Sequence, residues 1–340
     1  MRGNATYRYT DTAVLSVAAV DAPIVVTSQE IDNQLTGTYE RVGLRPGMLE
    51  GLAGISERRW WPEDVSFADA ASMAGAKALA EAGIDPLDVG LMIDTSVCRD
   101  HLEPSAAVDV HRQLGLSTSC LNFDLSNACL GFVNGMQLAA LMIDSGQIDY
   151  ALVVDGEGAR RLQEVTIGRL QSPEATKEDV IDSFASLTLG SGGAAMVLGR
   201  ASAHAAGHRF VGGVSRAATQ YNTLCVGDLD RMTTDSRALL EAGVELAVDT
   251  WKDAAEHFDW SNLDAYVIHQ VSKVHTAAIT GALAIDPERT PVIFPTRGNV
   301  GPASIPFTLA QYSAGFVPGE RIACLGIGSG LNSAAIEIEW

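Results

Sequence analysis

Cations are scarce in this chain of 340 residues: Lys and Arg number 23 against 42 Asp and Glu, a formal net charge of −19. No basic run rises above that acidic background, which argues against a nucleic-acid partner and means that any anionic ligand must be met by local cations. Cysteine is also used sparingly. The five thiols, Cys98, Cys120, Cys129, Cys225 and Cys324, are odd in number, dispersed and without a C-x-x-C pair. That pattern disfavours a disulfide framework and a zinc site, so free thiols and no metal are expected. Long apolar runs are missing too. Asp21 and Pro23 interrupt "AVLSVAAVDAPIVV", which lacks a strongly basic approach and reads as a strand, not a signal peptide. No segment reaches the roughly 18 uninterrupted apolar residues of a membrane span, so no span and a cytoplasmic location are expected.

What remains is the composition of a compact α/β protein, 47% hydrophobic and 19% charged, long enough to enclose an active site. Residues 66–97 read as an amphipathic helix, a turn at Asp85-Pro86 and a buried strand, and residues 241–272 repeat that order. About thirty residues beyond each unit lies a functional-looking loop, Asn127-Ala128-Cys129 in the first case and Gly298-Asn299-Val300 in the second. The closing strands correspond as well, "GSGGAAMVLGR" against "GSGLNSAAIEIEW". Two copies of one helix-and-strand unit therefore predict halves at 1–200 and 201–340, with sheets covered on both faces. The stretch 160–190 has no second copy; it is read as an insertion that either caps a pocket, packs at an interface or forms a surface excursion.

Cys129 stands where the polar "DLSN" gives way to the apolar "LGFVNGMQLAALMIDSG", at the expected start of an enclosed helix. Unpaired N–H groups and the helix dipole at such a start favour a thiolate, which is the physical reason to expect a nucleophile there. Cys120 and Cys324 fall in strands or at their ends and read as packing, while Cys98 and Cys225 lack an activating setting. His269 follows a buried strand, where a titratable ring is costly unless bonded or used. Asn299 lies near two glycines, and as a lone residue it is a turn former. Together the three occupy equivalent ends of a duplicated fold, and such ends can converge on one cavity.

"NACLGF", "IHQVS", "GNVGPASIP" and "GIGSG", in this order and spacing, resemble the thiolase superfamily in its β-ketoacyl synthase III-like branch, over nearly the whole chain. The resemblance implies an α/β, five-layered αβαβα fold from two duplicated halves and a Cys-His-Asn triad. By motif, Cys129 is the nucleophile, His269 and Asn299 bind the carbonyl oxygen of a second substrate, and the N–H groups of Cys129 and Ser329 form an oxyanion hole. Acyl transfer to Cys129 followed by attack of a carbanion then joins carbon to carbon.

"RDHLEPS", with Glu103 where malonyl-using relatives carry an apolar or aromatic residue, is similar to OleA-type condensing enzymes, as are "RRWW" and "CVGDLDRMTTDSR". That likeness implies a non-decarboxylative Claisen condensation of two long-chain fatty acyl-CoAs, giving a 2-alkyl-3-ketoacyl product for olefin or β-lactone formation. It further implies that Glu103 serves as base in a neighbouring subunit's site. A homodimer, or a heterodimer with a related subunit, is expected, with coenzyme A thioesters as substrates and no resident cofactor. Arg58, Arg59 and Trp60 are the candidate contacts to coenzyme A, against the equally weighted reading of an ion-pair cluster beside Glu57 and Glu63. Cys98 and His101 have no assigned role. A decarboxylating synthase III, an HMG-CoA synthase-like enzyme with a small pocket, and a partner subunit lending Glu103 to a catalytic chain remain open. A dinucleotide site at "LGIGSGLN" is disfavoured because a strand, not a helix, follows it, and a serine hydrolase because no G-x-S-x-G is present.

Overall fold

A computed structural model describes residues 6–260 and 262–340. In the first half, strands Thr12–Asp21, Gly192–Arg200, Tyr150–Glu157, Leu91–Asp94 and Leu121–Asp124 lie side by side in that order. In the second, His208–Ala217, Asn332–Glu339, Arg321–Gly328 and Ala265–Ile268 follow the same pattern. Each half runs antiparallel, antiparallel, then parallel. The chain passes from one to the other between Arg200 and His208, and pairing of Ala13 with Arg209 and of Val14 with His208 joins the two half-sheets edge to edge.

Between the half-sheets lie helices Gly131–Asp144 and Ser304–Tyr312, whose Phe132, Met136, Ile305 and Leu309 share one buried cluster with Ile93, Val153, Ile322 and Ile336 from strands of both halves. The apolar character of Gly131–Asp144 on nearly every side follows from this position, since sheet covers it from both directions. The outer faces are covered by Phe67–Ala82 with Ala106–Leu114 on the first half and by Ser236–His257 with Lys273–Leu283 on the second. The result is the layering αβαβα. Phe67–Ala82 is closed at both ends, by a reciprocal Ser66–Asp69 capping box and a left-handed Gly83, which leads into the turn expected at Asp85-Pro86.

The stretch 160–190 folds as helices Arg160–Leu170, Lys177–Asp182 and Phe184–Thr188. It packs on helix Ser28–Val42 through Ile31, Leu35, Ile167 and Leu170, and its last turn leads to Gly190 beside the loop that bears Asn299. Arg161, Leu162, Ala185, Thr188, Leu189 and Gly190 of this stretch line the cavity described below.

Candidate active site

Cys129 lies one residue ahead of the N-cap Leu130 of helix Gly131–Asp144. The preceding Ala128 has φ of 45°, a left-handed conformation that residues with a Cβ seldom adopt, so the turn that presents the thiol is held in place by its surroundings. Those surroundings come from both halves. A Cβ at Gly328 would stand 2.9 Å from the carbonyl oxygen of Asn127, so the "GIGSG" strand end approaches the turn this closely only as glycine. Asn332 Nδ2 donates to Asn127 Oδ1 at 3.0 Å, and Asn127 Nδ2 donates to Asn134 Oδ1 at 2.6 Å, fastening the turn at both sides.

The position of Cys129 is the expected one, but its charge is not. Burial pushes the thiol well above its usual range, and Glu157, Cys225 and Asp155 add to the effect. The first helical donors are also already engaged: Leu130 N–H bonds to Asn127 O and Gly131 N–H to Ala128 O, each at 3.0 Å. The expectation of a standing thiolate is thus corrected. At rest Cys129 carries a neutral thiol, and any charge on the sulfur has to develop as it reacts.

His269 caps the strand Ala265–Ile268 and is buried, with its Nδ1 2.6 Å from Ser304 Oγ. Ser304 Oγ also accepts the N–H of Gln270 at 3.3 Å, which leaves the hydroxyl proton for His269 Nδ1. With the hydroxyl donating in this way, the ring hydrogen sits on Nε2. Burial, with a smaller contribution from His275, pushes the imidazole down to about 3, so it is a neutral donor near pH 7.

Asn299 is fixed by the end of the inserted segment. Its N–H donates to Thr188 O at 2.9 Å, its carbonyl accepts from Gly190 N–H at 2.8 Å, and its side-chain Oδ1 accepts from Gly301 N–H at 3.0 Å. With Oδ1 engaged, Nδ2 is the group left to donate. Gly298 is required in this loop, because its φ is 67° and a Cβ there would lie 2.6 Å from Thr188 O.

Cys129, His269, Asn299 and Ser329 all line one cavity of about 980 Å³. At its polar end they meet Glu157; from there an apolar arm runs between helices Ser236–His257 and Lys273–Leu283 and the second half-sheet, past Leu240, Val244, Ile279 and Leu283. His101, Arg161 and Asp230 stand at the exposed rim, where Arg161 holds Asp230 with bonds of 2.8 and 3.0 Å. Among the described residues no cluster of three or more His, Cys, Asp or Glu could hold a metal ion, and no helix is long and apolar enough to cross a membrane.

Glu103 stands just past the rim, since residues 97–102 line the cavity and Glu103 does not. It is exposed, outside the lining of this chain's own cavity, on the loop between strand Leu91–Asp94 and helix Ala106–Leu114. Asp124, at the end of the edge strand Leu121–Asp124, ties down the start of that helix through the N–H groups of Ala106 and Ala107 at 3.1 and 2.8 Å. Glu103 is therefore carried beside the sheet's end strand Leu121–Asp124.

Arg58 requires a correction. Its side chain is fully buried and donates to Val26 O, Ser28 Oγ and Leu187 O, so it braces the strand pair Ile24–Thr27 and Glu57–Trp60 and has no surface to offer a phosphate. Arg59 pairs with Glu57 at 2.9 Å, Trp60 Nε1 donates to Gln163 Oε1 at 2.6 Å, and neither lines the cavity. The ion-pair reading describes the cluster better, with Arg160 bridging to Glu63 at 2.7 Å. Cys98 does line the cavity; its thiol donates to Gly158 O at 3.3 Å and is pushed up by burial and by Glu157. Cys120 and Cys324 are buried in the core, as their packing reading requires.

Glu157 and Ser304 are not singled out by sequence reasoning. Glu157 closes the strand Tyr150–Glu157, accepts the N–H groups of Val97 and Cys98 at 2.6 and 3.4 Å, and is held above the usual carboxylate range by burial and nearby Asp94. Its one sequence signal is the pair Asp155 and Glu157 ending a run of apolar residues, a costly place for carboxylates.

A half-buried cysteine beside a central helix start, sharing one cavity with a buried histidine and an asparagine from the other half, defines a condensing enzyme of the thiolase superfamily. Residues 123–215 match the family 3-oxoacyl-[acyl-carrier-protein (ACP)] synthase III, and residues 254–340 its C-terminal counterpart. The chain is 47% identical over 336 residues to the acyl-CoA:acyl-CoA alkyltransferase of Xanthomonas campestris pv. campestris, covering 98% of this chain and 99% of that one. It is 36% identical to the protein of the same name from Shewanella oneidensis, covering 98% and 100%. The crystal structure of Xanthomonas campestris OleA with bound lauric acid and lauroyl-CoA superposes with a TM-score of 0.96 at 46% identity, covering 98% of this chain and all of that one. The chain belongs to the OleA family of acyl-CoA:acyl-CoA alkyltransferases and is an acyltransferase.

Proposed function

We propose that this enzyme joins two long-chain fatty acyl-CoAs by a Claisen condensation without loss of CO2. The observation that carries this reading is the single cavity in which Cys129, His269 and Asn299 stand at the head of a long apolar arm. An acetyl unit would leave that arm empty. A chain holding all three groups in one cavity also has more than a passive partner needs.

Cys129 Sγ attacks the first thioester carbonyl, and the N–H groups of Cys129 and Ser329 hold the developing oxyanion. The carbon–sulfur bond to coenzyme A breaks, and the thiol proton ends on the departing thiolate, leaving an acyl-cysteine. Glu103 of the partner subunit then removes an α-proton from a second acyl-CoA. His269 Nε2–H and Asn299 Nδ2–H donate to its carbonyl oxygen as the enolate forms. The α-carbon attacks the acyl-cysteine, the sulfur leaves and is reprotonated, and a 2-alkyl-3-ketoacyl-CoA results.

This scheme consumes two thioesters and needs no resident cofactor. It places Glu103 in trans, as its exposure beside the sheet's end strand favours, and so calls for a dimer, with identical subunits sufficient. A cytoplasmic enzyme feeding olefin or β-lactone formation fits the chemistry of the product. The phosphates of coenzyme A are assigned to the rim, where Arg161 is the cation best placed to exchange Asp230 for an anion.

Incubating the purified chain with myristoyl-CoA as the sole substrate tests the reading. Free coenzyme A and a 2-alkyl-3-keto product are expected. Strict dependence on a malonyl thioester with CO2 release would move the enzyme to the decarboxylating branch, and turnover only with a second, different chain would make it an obligate partner.

A further inference from the structure

The apolar arm of the cavity follows one face of helix Ser236–His257. Leu240, Gly243, Val244, Ala247 and Trp251 line it, and at about 100° per residue all five fall on one side of the helix. From Leu240 to Trp251 the helix rises about 16 Å, the reach of an extended fatty chain. Trp251 is the last of the series. Its indole is held against Trp260 and Tyr266, with ring centroids 5.2 and 6.1 Å away. It also forms part of a second, separate concavity of about 490 Å³ bounded by residues 255–260, among them Phe258 and Trp260. Trp251 thus belongs to the walls of both spaces.

We propose that Trp251 is the end stop of the acyl channel, setting the longest chain that Cys129 accepts, by partitioning the channel from the concavity behind it. This rests on the assignment of the arm as an acyl channel. Removing the indole connects the two spaces, and longer chains extend into the second. Filling the channel nearer its head has the opposite effect. Gly243 offers that control, since it lines the arm and a Cβ built on it meets only Ile327 Cδ1, at an ordinary 3.8 Å. A leucine there also replaces a helix-interior glycine with a better helix former.

The test is competitive acylation of the full-length enzyme by an equimolar mixture of acyl-CoAs from octanoyl to stearoyl, with the Cys129 adducts resolved by intact-protein mass spectrometry. Trp251→Ala is expected to raise the ratio of the longest to the shortest adducts by about tenfold or more, the scale on which a pocket discriminates a few methylenes. Trp251→Phe, which keeps an aromatic ring against Trp260, should shift it in the same direction by less. Gly243→Leu should lower it. Adduct distributions unchanged from wild type in the folded Trp251→Phe and Gly243→Leu proteins would overturn the end stop while leaving the condensing activity standing. Absence of any long-chain adduct on the wild type would overturn the channel assignment and the end stop with it.

Discussion

Ser304 Oγ and His269 Nδ1 stand 2.6 Å apart, and that bond determines which nitrogen of the ring presents a proton to the cavity. Ser304 is a positioning residue: it opens helix Ser304–Tyr312, is fully buried and reaches the substrate only through the imidazole. Losing its hydroxyl frees Nδ1 to take the hydrogen, and Nε2 then turns a lone pair toward an oxygen it must stabilise. Ser304→Ala should therefore slow condensation about tenfold to a hundredfold, at or below the cost of removing one preorganised donor, while acylation of Cys129 proceeds near the wild-type rate. Ser304→Thr, which keeps the hydroxyl, should restore condensation. Equal loss of both half-reactions, without rescue by threonine, would reduce the bond to a packing role.

Glu157 makes the site dependent on pH in a direction that can be worked out. Its folded-state pKa is raised by burial, so the fold favours the protonated form. The stabilisation is fully present below the ordinary glutamate range and is lost as pH rises through the raised folded value. Glu157→Gln keeps an acceptor for Val97 N–H but carries no charge. Its Tm should match that of the wild type at pH 4 and exceed it by several degrees at pH 8. A difference constant across that range would show that the carboxyl does not titrate in the fold as its burial requires.

Much of this site was legible in the sequence because its parts sit at the ends of elements. Cys129 stands at a helix start, His269 follows a strand and Asn299 lies in the loop after helix Phe294–Arg297, and duplication of the fold brings such ends together. The doubling of the fold was equally accessible, since apolar strands and amphipathic helices recur in two matching blocks, whereas the order of strands in the sheet appears only in the structure. Arg58 shows what composition hides. In Glu57-Arg58-Arg59-Trp60 neighbouring side chains point to opposite faces, and no feature of the sequence tells which arginine turns inward. The thiol of Cys129 was assigned a low pKa from its helix start alone, but its burial and the carboxylates of Asp155 and Glu157 come from tertiary packing. The acyl arm was likewise out of reach, because Gly243, Ile279 and Ile327 meet only in space.

Placing Glu103 in trans predicts complementation between two inactive proteins. Cys129→Ala lacks a nucleophile and Glu103→Ala lacks a base, so each homodimer should fail to condense acyl-CoAs, the second while still forming an acyl adduct. In a mixed dimer one of the two cavities holds Cys129 of one subunit and Glu103 of the other. Co-refolding or co-expression should recover up to half the activity per dimer. No recovery in verified mixed dimers would place the base within the same chain.

The most direct test of the whole account is the mass of the intact protein after brief incubation with a single long-chain acyl-CoA. The account predicts an increment of one acyl group on the wild type, mapped by peptide digestion to Cys129 and lost in Cys129→Ala. An adduct that persists on Cys129→Ala, or product formed by that variant, would contradict it.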